Sequence, residues 1–173
     1  LEAVARNEKV RQIIKDSEFI HLCSIEYPLV TPLDPAFIGY AAANKLEVSV
    51  KCFERTNPSD ELSVVCLKND KFDLLSHDEL VDRNISDTET ADGTHLLYNL
   101  AHYGDFVINS ASLLSLAKDE ASLNKLYVRE YGTVEMFDEE EEEVIEQEGY
   151  KFELYINSLL NNCKPHKFGV LKQ

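Results

Sequence analysis

The chain has no tryptophan, one methionine, six glycines and five prolines in 173 residues. So little glycine and proline argues against long disordered linkers. None of the four cysteines, Cys23, Cys52, Cys66 and Cys163, forms a C-x-x-C pair, which excludes the usual zinc and dithiol motifs. No apolar run approaches the roughly 18 residues that cross a bilayer, and residues 1–22 lack the apolar block of a secretory leader. Gly-rich phosphate loops, a G-x-S-x-G elbow and an H-E-x-x-H helix are all missing. The commonest signatures of nucleotide binding, serine hydrolysis and zinc proteolysis are therefore absent. Cations are few and scattered; Lys164, Lys167 and Lys172 with His166 make only a thin C-terminal group. At a net charge of -15, direct binding to nucleic acid through a phosphate-neutralising face is not expected.

What is present is a concentrated anionic element. The run 138–148 (DEEEEEVIEQE) holds eight of the 32 acidic residues: Asp138, Glu139, Glu140, Glu141, Glu142, Glu143, Glu146 and Glu148. Without it the chain is only mildly acidic. Three readings of the run stay open. It can be a solvated loop. It can be a helix, with Asp138 as N-cap, Glu141 three residues on and Gly149 at the C-terminal stop. Its carboxylates can also form a docking surface for a basic protein partner, because dense charge of one sign steers a cationic ligand.

Length fits one domain with a core of its own. The cysteines read as reduced core thiols, which points to an intracellular setting, cytoplasm or nucleus. Position 1 is not Met, so the chain is expected to be a processed or excised piece.

Hydrophobic spacing predicts mixed helix and strand. Residues 1–22 carry Leu1, Val4, Val10, Ile13, Ile14 and Phe19 mostly at three- and four-residue steps, an amphipathic helix. Asp34-Pro35 is an N-cap followed by proline at the first helical position, so 34–44 reads as a short helix. Leu46, Val48, Val50 and Cys52 alternate with polar residues, a half-buried strand. Leu62–Leu67 is apolar on both faces, a central strand. The turn residues between them predict an antiparallel hairpin over 46–67. Lys71–Leu75 adds a third strand. Residues 94–103 and about 106–131 read as helices, ended by Gly104 and Gly132. Thr133–Phe137, Tyr150–Ile156 and Lys167–Leu171 read as strands.

The sum is one α+β domain over 1–173: a small antiparallel sheet packed against several helices, with the acidic insert at 138–148. The expected function is that of a non-enzymatic interaction module, a subunit or adaptor of an intracellular assembly. No cofactor and no membrane association are expected. An enzyme with an unrecognised, metal-dependent site is the alternative. Its residues would be Asp92, His95, His102 and Asp105, whose two imidazoles fall seven apart on the predicted helices. An acidic mimic of nucleic acid is a further alternative. Ser86, three residues before Glu89 in a polar loop, is a candidate phosphate acceptor.

Overall fold

The computed structural model describes residues 2–25, 27, 30–118, 127–138, 142–154 and 163–173. Two short helices open the chain, α1 (Glu2–Arg6) and α2 (Glu8–Lys15). The helix predicted for 1–22 is therefore split. Asn7 causes the break, because its side chain accepts the backbone N–H groups of Lys9 and Val10 and caps α2. The last residues of that predicted helix belong to a strand, β1 (Phe19–Cys23). Next come α3 (Pro35–Ala43), β2 (Val48–Glu54), β3 (Ser63–Lys68), β4 (Lys71–Leu75) and α4 (His77–Asp82). The chain continues through β5 (Leu100–Asn109), α5 (Ser110–Leu116), β6 (Tyr127–Asp138) and β7 (Glu143–Leu154). A single 3₁₀ turn (Pro165–Lys167) leads into β8 (Phe168–Lys172). The Asp34 cap and Pro35 at the first turn of α3 stand as predicted. Among the described residues no helix is long and apolar enough to cross a membrane.

The main sheet is mixed. Its order is β4-β3-β5-β2-β8, and β1 also pairs with β5. Strands β2 and β3 are both antiparallel to β5, and β8 lies parallel to β2. The expected 46–67 hairpin does not form: β5 is inserted between its two strands. Residues 100–109, read partly as helix, are that inserted strand. Ala101, His102, Phe106, Val107 and Ile108 are all buried. A strand covered on both faces shows no alternation by which to recognise it.

β2 occupies one edge of β5 at residues 100–102 and 106–108. The other edge is shared end to end, by β3 at residues 101–102 and β1 at 105–109. At the seam, Gly104 has φ +83° and the Ser24 N–H donates to its carbonyl at 3.0 Å. A Cβ on Gly104 would lie 3.0 Å from that of Ser24, so both conformation and space call for glycine here.

Each face of the sheet has its own cover. On one, Ile14 of α2 and Leu113 of α5 pack on Val48, Val50, Phe106 and Ile108. Phe72 and Phe168, on the two outer strands, have ring centroids 4.2 Å apart, so the sheet curls around this core. On the other face, α3 sets Phe37 and Ala41 against Val107, and α4 sets Leu80 against Val64 and Leu75.

Strands β6 and β7 form a separate two-stranded ribbon, paired in register from Tyr127↔Leu154 to Asp138↔Glu143. In the described part of the acidic run, Asp138 ends β6 and residues 143–148 form the first half of β7, a strand and not a helix. Glu142 takes a left-handed turn conformation at φ 54° just before β7 begins.

Candidate functional site

β1, β2 and β3 all run against β5, so their carboxyl ends face the same way. The neighbour of β5 changes from β1 to β3 between Asp105 and His102. Ligands of open α/β sheets bind outside the carboxyl ends of strands, where strand order switches. The loop after β1 begins at Ser24 and the loop after β2 at Arg55; Tyr27 of the first loop and Phe53 near the end of β2 both lie against Tyr103 of β5.

Beneath the first loop lies a buried charged network. Alternation along β1 sends Ile20 and Leu22 to the main core and Phe19 and His21 to the α3 face. The His21 ring lies edge-on to Phe37 of α3, centroids 6.1 Å apart. Its Nε2 is 2.5 Å from Asp105 Oδ1, with both side chains essentially excluded from solvent. Its Nδ1 accepts the Leu33 N–H at 2.8 Å. An acceptor Nδ1 carries no proton, so His21 is the neutral tautomer that donates from Nε2. Lys51, in β2, points to the same face. Its Nζ is 2.6 Å from Asp34 Oδ2, 3.6 Å from Asp105 Oδ2 and 5.0 Å from the Phe37 ring centroid. The Lys51 ammonium, together with the Ala36 N–H, holds the Asp34 carboxyl below the usual carboxylate range. The contacts close a ring: His21, Leu33, Asp34, Lys51, Asp105 and back to His21. Lys51 is committed within this ring, so it orients the chain and does not reach out to a phosphate.

Above the network Tyr103 sits between Tyr27 and Phe53, with ring centroids 5.8 and 5.6 Å away. Its hydroxyl donates to Gln173 Oε1 at 3.1 Å, and burial pushes its pKa up to about 12. Ile25, nearby in the same loop, is 99 % exposed.

Arg55 clamps the neighbouring loops. It is fully buried. Nη1 donates to the carbonyls of Ser86 and Tyr98, at 3.0 and 3.4 Å. Nη2 donates to the Pro58 carbonyl and Ser86 Oγ, at 2.5 and 2.7 Å. Burial lowers the Arg55 pKa against the pull of Asp60, and the guanidinium stays charged. Ser86 Oγ also donates to Pro58 O at 2.7 Å, so the candidate phosphate acceptor is already tied into this clamp. Two hollows flank the region. One, of about 140 Å³, is rimmed by Glu54, Thr56, Glu89 and His95; the other, of about 440 Å³, by Ser59, Glu61, His77 and Asn84.

The structure disperses the metal-site residues proposed from the sequence. Asp92 sits in a turn, accepting from the Thr90 and Thr94 hydroxyls at 2.6 and 2.9 Å, which lower its pKa to about 2. His95 is exposed and its Nδ1 is 2.9 Å from Glu54 Oε1. His102 is buried on the main-core face against Phe106, 4.5 Å between centroids, while Asp105 serves the α3 face. Residues 100–109 are a strand, so the two histidines share no helical face. Among the described residues no group of three His, Cys, Asp or Glu can hold a metal ion.

In the acidic run, Glu142, Glu143, Glu146 and Glu148 are exposed on the ribbon, and Asp138 ends β6. Glu148 Oε2 accepts the Tyr131 hydroxyl at 2.7 Å. Glu139, Glu140 and Glu141 lie outside the described residues. Tyr131, Val134, Met136, Phe137, Val144 and Tyr150 are also exposed along the ribbon. All the described cysteines are free, but Cys23 is exposed and so is not a core thiol.

Sequence reasoning missed His21, Lys51 and Arg55. Lys51 occupies a polar position in an alternating strand, and alternation alone does not mark such a position as buried. The signal that could have found it is the apolar content of α3, which needed a sheet face to cover.

No protein-family profile matches the chain. In sequence it is 29% identical over 161 residues to a protein of Schizosaccharomyces pombe named as a probable UDP-N-acetylglucosamine pyrophosphorylase. That alignment covers 86% of this chain and 32% of the relative, so the chain spans about a third of that protein's length. In structure it matches the uridine diphosphate N-acetylglucosamine pyrophosphorylase of Trypanosoma brucei with a TM-score of 0.76 and 16% identity, over 94% of this chain and 31% of that one. It matches the UDP-glucose pyrophosphorylase of Leishmania major with a TM-score of 0.65 and 13% identity, over 97% and 36%. These likenesses to enzymes overturn the expected non-enzymatic adaptor and favour the alternative reading, an enzyme. The chain has a mixed sheet with several helices, similar to part of the UDP-sugar pyrophosphorylase fold.

Proposed function

We propose that this chain is a segment of a UDP-sugar pyrophosphorylase acting on UDP-N-acetylglucosamine. The observation that carries the reading is the 29% identity over 86% of the chain to the fission-yeast protein. In the reaction an oxygen of pyrophosphate attacks the uridine-side phosphorus of the UDP-sugar. The bond from that phosphorus to the bridging oxygen breaks, and the oxygen leaves on the sugar 1-phosphate. UTP and the sugar phosphate are the products, and the reverse direction makes the UDP-sugar. Such chemistry depends on holding phosphates in line and offsetting their charge.

In this reading the segment supplies scaffold at the substrate edge. Lys51 and Arg55 are spent on internal partners, so they shape loops 24–34 and 55–62 and do not themselves hold phosphate. The test is to express the full-length protein that contains this chain, supply UDP-N-acetylglucosamine and pyrophosphate, and follow UTP release, with UDP-glucose as a second substrate. Production of UTP is expected. No turnover with either sugar nucleotide would refute the reading.

A further inference from the structure

We propose that His21 and Asp105 are a positioning pair that holds the Leu33 end of the loop after β1, and through it Tyr27, in the arrangement that receives the UDP-sugar; the substrate in this statement rests on the function proposed above, while the geometry does not. The loop is anchored at both ends to the sheet. At its start the Ser24 N–H donates to the Gly104 carbonyl at 3.0 Å. At its end the Leu33 N–H donates to His21 Nδ1 at 2.8 Å. Leu33 takes a left-handed backbone at φ 56° with its side chain 69% exposed. That conformation costs an ordinary side chain about 1 kcal/mol, and no packing of the leucine offsets it. The imidazole fixes the peptide instead.

The imidazole is itself fixed. Asp105 accepts from Nε2 at 2.5 Å and is buried between β1 and β2. Phe37 closes the ring edge-on. Only the neutral ring with its proton on Nε2 satisfies both partners, since the Leu33 amide needs a lone pair on Nδ1. What the pair positions is the described part of the loop between the anchors. It carries Tyr27 against Tyr103 and the fully exposed Ile25, at the carboxyl end of β1 where strand order switches. His21 touches no reacting atom in this account; it acts through the loop.

The experiment uses the full-length protein with three readouts. First, ¹⁵N-labelled histidine should report His21 as the neutral ring protonated on Nε2; a proton on Nδ1 would overturn the proposal outright. Second, His21→Phe keeps a planar ring and removes both hydrogen bonds, whereas His21→Gln offers an amide donor and a carbonyl acceptor in their place. His21→Phe should displace the Leu33 amide and Tyr27 ring resonances and leave the Val64 methyls in place. His21→Gln should return most of the shift. Third, His21→Phe should raise KM for UDP-N-acetylglucosamine about tenfold, as for a loss near 1.4 kcal/mol, with kcat nearly unchanged. His21→Gln should recover most of that affinity. An unmoved Leu33 amide and an unchanged KM in His21→Phe would overturn the proposal. So would damage that spreads to Val64 and is equal in both variants, since that is the behaviour of a merely structural residue. If the wild-type protein turns over no UDP-sugar, the functional reading fails, and the first two readouts still decide whether the pair positions the loop.

Discussion

Lys51 Nζ lies 2.6 Å from Asp34 Oδ2 with its side chain 2% exposed, and this contact joins the middle of β2 to the first turn of α3. Asp34 does two things at once. One carboxylate oxygen caps the helix through the Ala36 N–H and the other takes the ammonium. The sequence around Asp34-Pro35 gives the first role; the second requires a partner seventeen residues on.

Removing that cation takes away the counter-charge that Asp34 Oδ2 and Asp105 Oδ2 share. Lys51→Met should cost about 3–5 kcal/mol, as breaking one partner of a buried pair does. Adding Asp34→Asn and Asp105→Asn to the same chain should restore much of it. Urea unfolding checks this through the midpoint, provided the slope is unchanged. A loss under about 1 kcal/mol would mean that the network is hydrated and weak.

His102 makes stability depend on acid. Burial lowers its pKa from 6.5 to about 4, opposed by its hydrogen bond to the Lys51 carbonyl and by Asp105. The unfolded chain binds a proton near pH 6.5 and the folded chain does not until about pH 4. Stability is therefore full above 6.5 and falls as pH drops through that window. His102→Phe should flatten the slope between pH 6.5 and 4 relative to wild type. Parallel unfolding curves across that range would exclude the linkage.

Cysteine labelling should follow burial. Cys52 and Cys163 have thiols pushed up to about 12 by burial, and Cys66 is raised for the same reason. Thiolate is the reactive form. In the native protein iodoacetamide should label exposed Cys23 first, with Cys52 and Cys163 modified only after unfolding. Mass spectrometry of timed samples checks the order, and early loss of Cys52 would place the β2–β5 core in solvent.

Arg55→Lys should not preserve the clamp on loops 55–62 and 84–98. A lysine has one donor centre where the guanidinium spans Pro58, Ser86 and Tyr98. The expected loss is about 2 kcal/mol, with faster amide exchange confined to those two loops. Uniform exchange across the sheet would instead point to global destabilisation.

Val64→Ala, on a fully buried β3 residue packed with Leu75 and Leu80, should cost about 1–3 kcal/mol in the same urea assay. A negligible change would contradict the packing of α4 on the sheet.

Local chemistry in the sequence determined the Asp34 cap of α3, the β4 strand, the β8 strand and the burial of Val50 and Val64, because caps, proline and alternation act over a few residues. The centre of the sheet was not legible in this way. β5 is buried on both faces and so has no period, and its insertion between β2 and β3 is set by pairing between residues more than thirty apart in sequence. The spacing marks parts of the ribbon as strand, but not that residues 143–148 of the acidic run pair with β6. The His21–Asp105 and Lys51–Asp34 contacts join residues 84 and 17 positions apart. No spacing rule links such pairs. Only the packing of α3 on the sheet brings them together, because that packing shields this face from water, where a charge must be matched by groups close by.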